Sequence, residues 1–150
     1  SDISSSTVTI RLFGAKLDPE YITQRLGCLP SFAAKTGEKL IKPNGETRIV
    51  KKGFWRLRYG ESDAVIVEDK IELLLGKLTD NLDVWQEITK NLDVADIFCG
   101  LFIDEFNEGF MLSSTIMKKI SDRGLKIGFD IYSPAASHDR EKEQDECIGE

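Results

Sequence analysis

The chain has 150 residues, of which 41% are hydrophobic and 31% are charged, and its formal net charge is -6. This length and composition are typical of one globular domain and exclude fibrous and disordered proteins. Its apolar runs are far shorter than the ~20 residues that a membrane-spanning helix needs. Three cysteines without a C-x-x-C pair argue against a disulfide scaffold, so we expect a cytoplasmic protein with no membrane segment.

The first predicted element is a strand over Thr7 to Phe13, where apolar and polar residues alternate. Asp18 and Pro19 predict the start of a helix, because aspartate can cap the free amides and proline suits the first helical position. Gly27 is expected to end this helix. Residues 31–46 are rich in glycine, lysine and proline, and this composition predicts a long loop.

Two strands are predicted next, a weak one near Thr47 to Val50 and a stronger one from Phe54 to Tyr59. In the stronger strand, Trp55 is expected to face one side of the sheet and Arg56 and Arg58 the other.

Leucines and isoleucines at helical spacing predict helical pieces over Val67 to Leu78 and Leu82 to Asn91, either as one bent helix or as two. Val94 to Ile103 is the most apolar segment, and we predict a strand inside the sheet there.

A hairpin turn at residues 107–109 is expected to lead into a short strand over Phe110 to Leu112. A helix capped by Ser113 or Ser114 follows. The last strand is predicted over Leu125 to Tyr132. Its inward-facing residues are expected to be Leu125, Ile127, Phe129 and Ile131.

These elements predict an α+β fold with a mainly antiparallel sheet of about five to six strands and helices packed on one face. No linker divides the pattern, so we expect a single domain over residues 1–133. Residues 134–150 are dominated by charged side chains and predict a charged C-terminal tail.

Several motifs occur together in a characteristic order. They are Leu17-Asp18-Pro19-Glu20, Gly53-Phe54-Trp55-Arg56-Leu57, Phe98-Cys99-Gly100-Leu101-Phe102 and Gly109-Phe110-Met111-Leu112-Ser113. On these residues the chain resembles a bacterial family known as domain of unknown function 4279, over roughly residues 7–133. The family has no established activity, so the resemblance implies no catalytic residue. Some small proteins of this kind look like immunity proteins that neutralise a toxin.

No motif predicts catalysis, a metal or a cofactor. His138 is the only histidine, which leaves acyl-transfer triads and most metal sites without a key group. Glycine-rich phosphate loops do not occur. The carboxylates Asp96, Asp104, Glu105 and Asp130 are interpreted as solvated or capping groups. We therefore expect a protein that is not an enzyme and needs no cofactor.

Residues 35–58 contain eight basic and two acidic residues, a net charge of +6. Arginines there can give bidentate contacts to an anionic ligand or an acidic partner. The lysines can instead protect an edge strand from pairing with other chains. The candidate binding residues are Lys35, Glu38, Trp55, Arg56 and Arg58.

Residues 61–87 and 93–108 are acidic, with net charges of -6 and -5. Such a surface speeds association with a basic toxin or enzyme. We hypothesise a non-catalytic binding module, with an immunity-type role as its sharpest version. The alternative is a small anionic-ligand-binding or regulatory domain. Nucleic-acid binding is less expected because the whole chain is acidic, and the oligomeric state is left open.

Overall fold

The computed structural model describes residues 3, 5–59 and 66–133. Its strands are β1 (Ser5–Gly14), β2 (Phe32–Ala34), β3 (Lys39–Ile41), β4 (Thr47–Ile49), β5 (Gly53–Arg58), β6 (Val94–Phe102) and β7 (Lys126–Tyr132). Its helices are α1 (Pro19–Leu26), α2 (Val67–Gly76), α3 (Leu82–Lys90) and α4 (Ser114–Asp122). The predicted tail at residues 134–150 lies outside the described residues.

The main sheet has five strands in the order β2-β5-β1-β6-β7, and β3 and β4 form a separate two-stranded sheet. β1 pairs antiparallel with both β5 and β6, whereas β6 and β7 are parallel. The predicted α+β class with a mostly antiparallel sheet is confirmed.

The two faces of the sheet differ in what covers them. On the helix face, Val8, Ile10 and Leu12 of β1 are fully buried and belong to one core with apolar residues of all four helices. Alternate residues of a strand point to opposite sides, so Thr9 and Arg11 lie on the other face, which we call the open face.

The helices begin and end where local chemistry allows. Asp18 accepts a hydrogen bond from the amide of Glu20, and Gly27 ends α1 with a positive φ of 78°, as predicted. Asn81 caps α3 separately from α2, so the region between residues 67 and 91 forms two helices.

A buried lysine ties the helix layer to the central strand. Lys70 of α2 is 1% exposed, and its Nζ donates to the carbonyl oxygen and the hydroxyl of Ser6 at 2.6 and 3.0 Å. Hydrogen bonds from a charged donor are among the stronger ones. This contact therefore fixes α2 over the beginning of β1.

The long loop predicted at residues 31–46 is wrong, because this segment contains β2 and β3. β2 pairs with the edge of β5, and β3 forms a hairpin with β4. Both strands have only three residues, too few to show an alternating pattern. The turn predicted at Asn44-Gly45 is present, and Gly45 has a φ of 86°.

The hairpin and strand predicted at residues 107–112 are also wrong. No strand occurs between Phe102 and Ser114, and the chain reaches β7 through α4. Because β6 and β7 are parallel, their connection needs a crossover, which the helix supplies. The ring centroids of Phe110 and Phe129 are 5.3 Å apart. Phe110 is therefore apolar because it packs against β7, although it is not in a strand itself.

The inward face predicted for the last strand is only partly buried. Leu125 is 7% exposed, but Phe129 and Ile131 are 40% and 60% exposed. β7 is an edge strand with one described neighbour, so its side chains lack cover on the outer side. Tyr132 is buried on the open face, where it stacks on Phe102 at 5.0 Å.

The β3–β4 hairpin covers one end of the open face. Leu40 of the hairpin packs with Val50, Phe54 and Phe13 in a small second core. Among the described residues, no helix or hairpin covers the middle of the open face, where the side chains of Arg11 and Arg56 are partly buried.

We expect Ile97→Ala to lower the free energy of unfolding by about 3 kcal/mol, because Ile97 is fully buried and its truncation leaves a cavity. The matched control is Ile41→Ala in β3, where the side chain is 76% exposed and the loss should stay below about 0.5 kcal/mol. Urea denaturation measures both values. Equal losses would contradict the assignment of Ile97 to the core.

Candidate functional site

A row of five side chains crosses the open face at one level. β2 and β5 place Phe32 opposite Arg56, and β5 and β1 place Arg56 opposite Arg11. β1 and β6 place Arg11 opposite Asp96, and β6 and β7 place Asp96 opposite Lys126. The register of the whole sheet therefore builds this row, which we call the arginine row.

Arg11 and Asp96 form its central ion pair. Nε and Nη2 of Arg11 donate to Oδ1 and Oδ2 of Asp96 at 2.9 and 2.7 Å. The side chains are 25% and 13% exposed, so the pair is partly removed from water. A bidentate pair of this kind fixes the plane of the guanidinium group.

Phenylalanine rings hold the two guanidinium groups in place. Arg11 lies 4.2 Å from the ring centroid of Phe98. Arg56 lies 4.9 Å from that of Phe54 and 5.3 Å from that of Phe13. Each contact lies within the range of a cation–π interaction, so the arginines are positioned with little remaining side-chain freedom.

Arg11 and Arg56 are directly opposite each other on β1 and β5. Two like charges in this position destabilise a sheet. Asp96 is the carboxylate partner of Arg11, and Arg58 lies two residues after Arg56 on the same face. The site therefore concentrates positive charge on a chain whose net charge is -6.

The predicted binding residues divide between two faces. Arg56 and Arg58 lie on the open face as expected. Trp55 lies on the helix face, is 0% exposed, and donates from Nε1 to the hydroxyl of Thr23 at 3.0 Å. The structure therefore brings the two arginines together and places Trp55 in the core.

Lys35 and Glu38 lie in the segment between β2 and β3. The Nζ atom of Lys35 is 3.8 Å from Oδ1 of Asp18, and the carbonyl of Glu38 accepts from the amide of Val50. Both side chains are exposed. They belong to the hairpin side of the molecule rather than to the arginine row.

Sequence reasoning missed Arg11 and Phe98. Arg11 is the one charged residue of β1 and lies between Ile10 and Leu12, at a position where the alternating pattern of the strand places a polar residue. That signal was visible in the sequence. Its ion pair was not, because Asp96 is 85 residues away.

The thiol next to the row is chemically inert. Cys99 is fully buried on the helix face, and burial together with the nearby charge of Asp96 raises the pKa of its thiol to about 12. A reactive cysteine needs the opposite, a lowered pKa and access to solvent. The groups that the open face presents are suited to non-covalent contacts.

The described residues contain no group of three or more histidine, cysteine or carboxylate side chains placed to hold a metal ion. None of the described helices is long and apolar enough to cross a bilayer.

The family model described as "Domain of unknown function (DUF4279)" matches residues 4–134. The chain belongs to this family. Comparisons of this DUF4279 domain with curated proteins and with solved structures gave no match.

In this DUF4279 domain we expect Asp96→Asn to lower the free energy of unfolding by about 2 kcal/mol, because it removes the charged acceptor of a partly buried bidentate pair. A double-mutant cycle with Arg11→Gln, measured by chemical denaturation, isolates the coupling. The control is Lys52→Gln, which removes an exposed pair with Asp93 and should cost below about 0.5 kcal/mol. Additive effects of the Arg11 and Asp96 changes would refute the coupling.

We also expect iodoacetamide at pH 8 to alkylate the partly exposed Cys28 of the folded domain and to leave Cys99 unmodified. A thiol with a pKa of about 12 is ionised at pH 8 in about one molecule in ten thousand. Peptide mass analysis reports each site, and urea should make both react. Equal alkylation in the folded state would contradict the burial of Cys99.

Proposed function

We propose that this domain is a non-catalytic binding module that recognises an acidic surface of a protein partner through the open face of its sheet. The observation that carries the proposal is the opposed pair Arg11 and Arg56, held on phenylalanine rings. Like charges placed opposite each other weaken a sheet. Unfavourable arrangements of this kind, in which like charges face each other on neighbouring strands, are expected at functional sites.

The composition of the face supports a protein partner. Arginine and aromatic residues are enriched in interface cores and carry much of the binding energy. Here Arg56 and Arg58 stand beside Phe32, which is 51% exposed. Because ring contacts already restrict Arg56, binding through its side chain costs less entropy than binding through a mobile lysine would.

Charge supports an acidic partner. The basic segment, residues 35–58, forms β3, β4, β5 and their turns and has a net charge of +6. Two of its lysines already contact carboxylates, Lys35 with Asp18 and Lys52 with Asp93. Arg56 and Arg58 of the same segment lie on the open face, where we expect their guanidinium groups to contact carboxylates of a partner.

A small anionic ligand would need a cleft that presents basic groups. One described cleft lies away from the arginine row and is lined by Ile3, Ile66, Val67, Glu68, Phe110 and Met111. Its only charged side chain is acidic, which disfavours an anionic ligand there. The small anionic-ligand hypothesis stays a prediction, and a thermal-shift screen with anionic metabolites tests it.

The immunity-type role also stays a proposal, and it differs in the charge of the partner. A basic toxin would meet acidic side chains such as Asp80 and Asp83, which are exposed next to and within α3. Micromolar binding to a toxin encoded by a neighbouring gene would support this role. Loss of that binding in Asp80→Lys/Asp83→Lys, with Arg56→Gln/Arg58→Gln unaffected, would place the toxin away from the open face.

We expect a fluorescent oligo-glutamate peptide to bind the protein and the double variant Arg56→Gln/Arg58→Gln to weaken this binding about tenfold, which corresponds to about 1.4 kcal/mol. Fluorescence anisotropy measures the affinity, which should fall as salt is added. The control is Arg25→Gln on α1, which removes one positive charge, against two in the open-face variant, and does so in the opposite layer.

Two outcomes would overturn the proposal. One is a peptide affinity that Arg25→Gln lowers as much as the open-face double variant does. The other is tighter binding of a single-stranded oligonucleotide than of the peptide, with the loss confined to the same arginines. That second result would assign the face to nucleic acid, which can use the same arginine and aromatic groups.

A further inference from the structure

The outer edge of β7 is the longest strand edge of the main sheet without a described neighbour. β7 ends the strand order on one side and has seven residues, whereas β2 ends it on the other side and has three. A long edge presents backbone donors and acceptors to any strand that can align with it.

The orientation of the backbone shows which residues face outward. The carbonyl of Tyr132 accepts from the amide of Ile103, at the end of β6, so Tyr132 points its backbone groups toward β6. Backbone groups of alternate residues point to alternate sides. Ile127, Phe129 and Ile131 therefore direct their amides and carbonyls to the outer edge.

The sequence of β7 is complementary to itself when reversed. Residues 126–130 read Lys-Ile-Gly-Phe-Asp. Around Gly128, Lys126 is matched by Asp130, and Ile127 by Phe129. In an antiparallel pair of two such strands, each lysine meets an aspartate and each isoleucine meets a phenylalanine.

We propose that two copies of this chain pair antiparallel through β7, with Gly128 of both copies on the two-fold axis. This inference does not rest on the proposed function, since it depends on the outer edge of β7 and not on partner binding by Arg56 and Arg58 of β5. The two sheets become one continuous sheet of ten strands.

Backbone geometry permits this register. With Gly128 opposite its copy, Ile127 lies opposite Phe129 of the second copy, and both residues direct their backbone groups outward. They form a hydrogen-bonded pair, and the symmetry repeats it. Lys126 and Asp130 of the second copy then form a non-hydrogen-bonded pair, in which side chains approach most closely.

Neighbouring registers lose this complementarity. A shift that keeps the outward residues paired moves each partner by two residues. Lys126 then lies opposite Tyr132 or Gly128 of the second copy, and the lysine–aspartate pairs are lost. Charge complementarity therefore favours a single register. It also favours β7 of a second copy of this chain as the strand that pairs with this edge.

Two apolar side chains of β7 are exposed in the single chain, as expected if a second copy covers them. Phe129 and Ile131 are 40% and 60% exposed on the helix face. In the proposed register Phe129 lies opposite Ile127 of the second copy and Ile131 lies opposite Leu125, so both exposed side chains gain an apolar neighbour. A single strand pair buries less area than the standard interface of about 1,600 Å², so we expect a weak, concentration-dependent dimer.

Sedimentation of the full chain from about 1 to about 500 µM should show a monomer–dimer equilibrium. Lys126→Glu and Asp130→Lys should each abolish the dimer, because each creates like-charged pairs in the interface. An equimolar mixture of the two variants should form a heterodimer, since every pair is again opposite in charge. Lys90→Glu on α3 is the matched control and should dimerise normally.

Cross-linking tests the register without relying on charge. A Cβ atom at Gly128 meets Phe98 at an ordinary 3.6 Å, so Gly128→Cys is compatible with the fold. Two such cysteines should form a disulfide under mild oxidation, since directly opposed residues lie within the disulfide range. Lys126→Cys should not, because its two copies are about 13 Å apart along the strands.

A monomer at all concentrations, combined with no cross-link through residue 128 on peptide mapping, would overturn the proposal. A dimer that both charge variants leave intact, or a cross-link through Lys126→Cys but not through Gly128→Cys, would also overturn it.

Discussion

The two-sided pairing of β1 is the constraint on which the other features depend. Because β1 pairs with β6 from Ser5 to Phe13 and with β5 from Thr9 to Gly14, directly opposed residues of the three strands lie on the same face of the sheet. Ile10 and its neighbours on the helix face form the centre of the core. The alternate residues of β1 point to the open face, where Arg11 lies directly opposite Arg56 and Asp96. Core and arginine row therefore follow from the same register.

Sequence patterns predicted those helices and strands that carry a local signal, either a periodic pattern of apolar residues or a capping residue. β1, β5 and the four helices have clear periodicity or caps, and Arg56 and Arg58 were correctly assigned to one face. β2 and β3 are too short for a pattern and exist because a partner strand supplies their hydrogen bonds. The role of Arg11 depends on contact with Asp96, which is distant in sequence, so local patterns could not reveal it.

The apolar run Phe110 to Leu112 shows a different limit of such patterns. A short apolar segment after a turn is compatible with a strand or with packing onto a strand. Here Phe110 packs on Phe129, and α4 provides the crossover to a parallel neighbour. The same crossover leaves β7 at the sheet edge, where its side chains are exposed despite an alternation that looks like a buried strand.

The central position of β1 also bears on how the chain is made. β1 ends at Gly14, but its partner β6 ends only at Phe102. At a synthesis rate of roughly ten residues per second, about nine seconds separate the two. During that time the strand at the middle of the finished sheet has at least one unsatisfied side. We therefore expect the nascent chain to be most prone to aggregation before β6 leaves the ribosome.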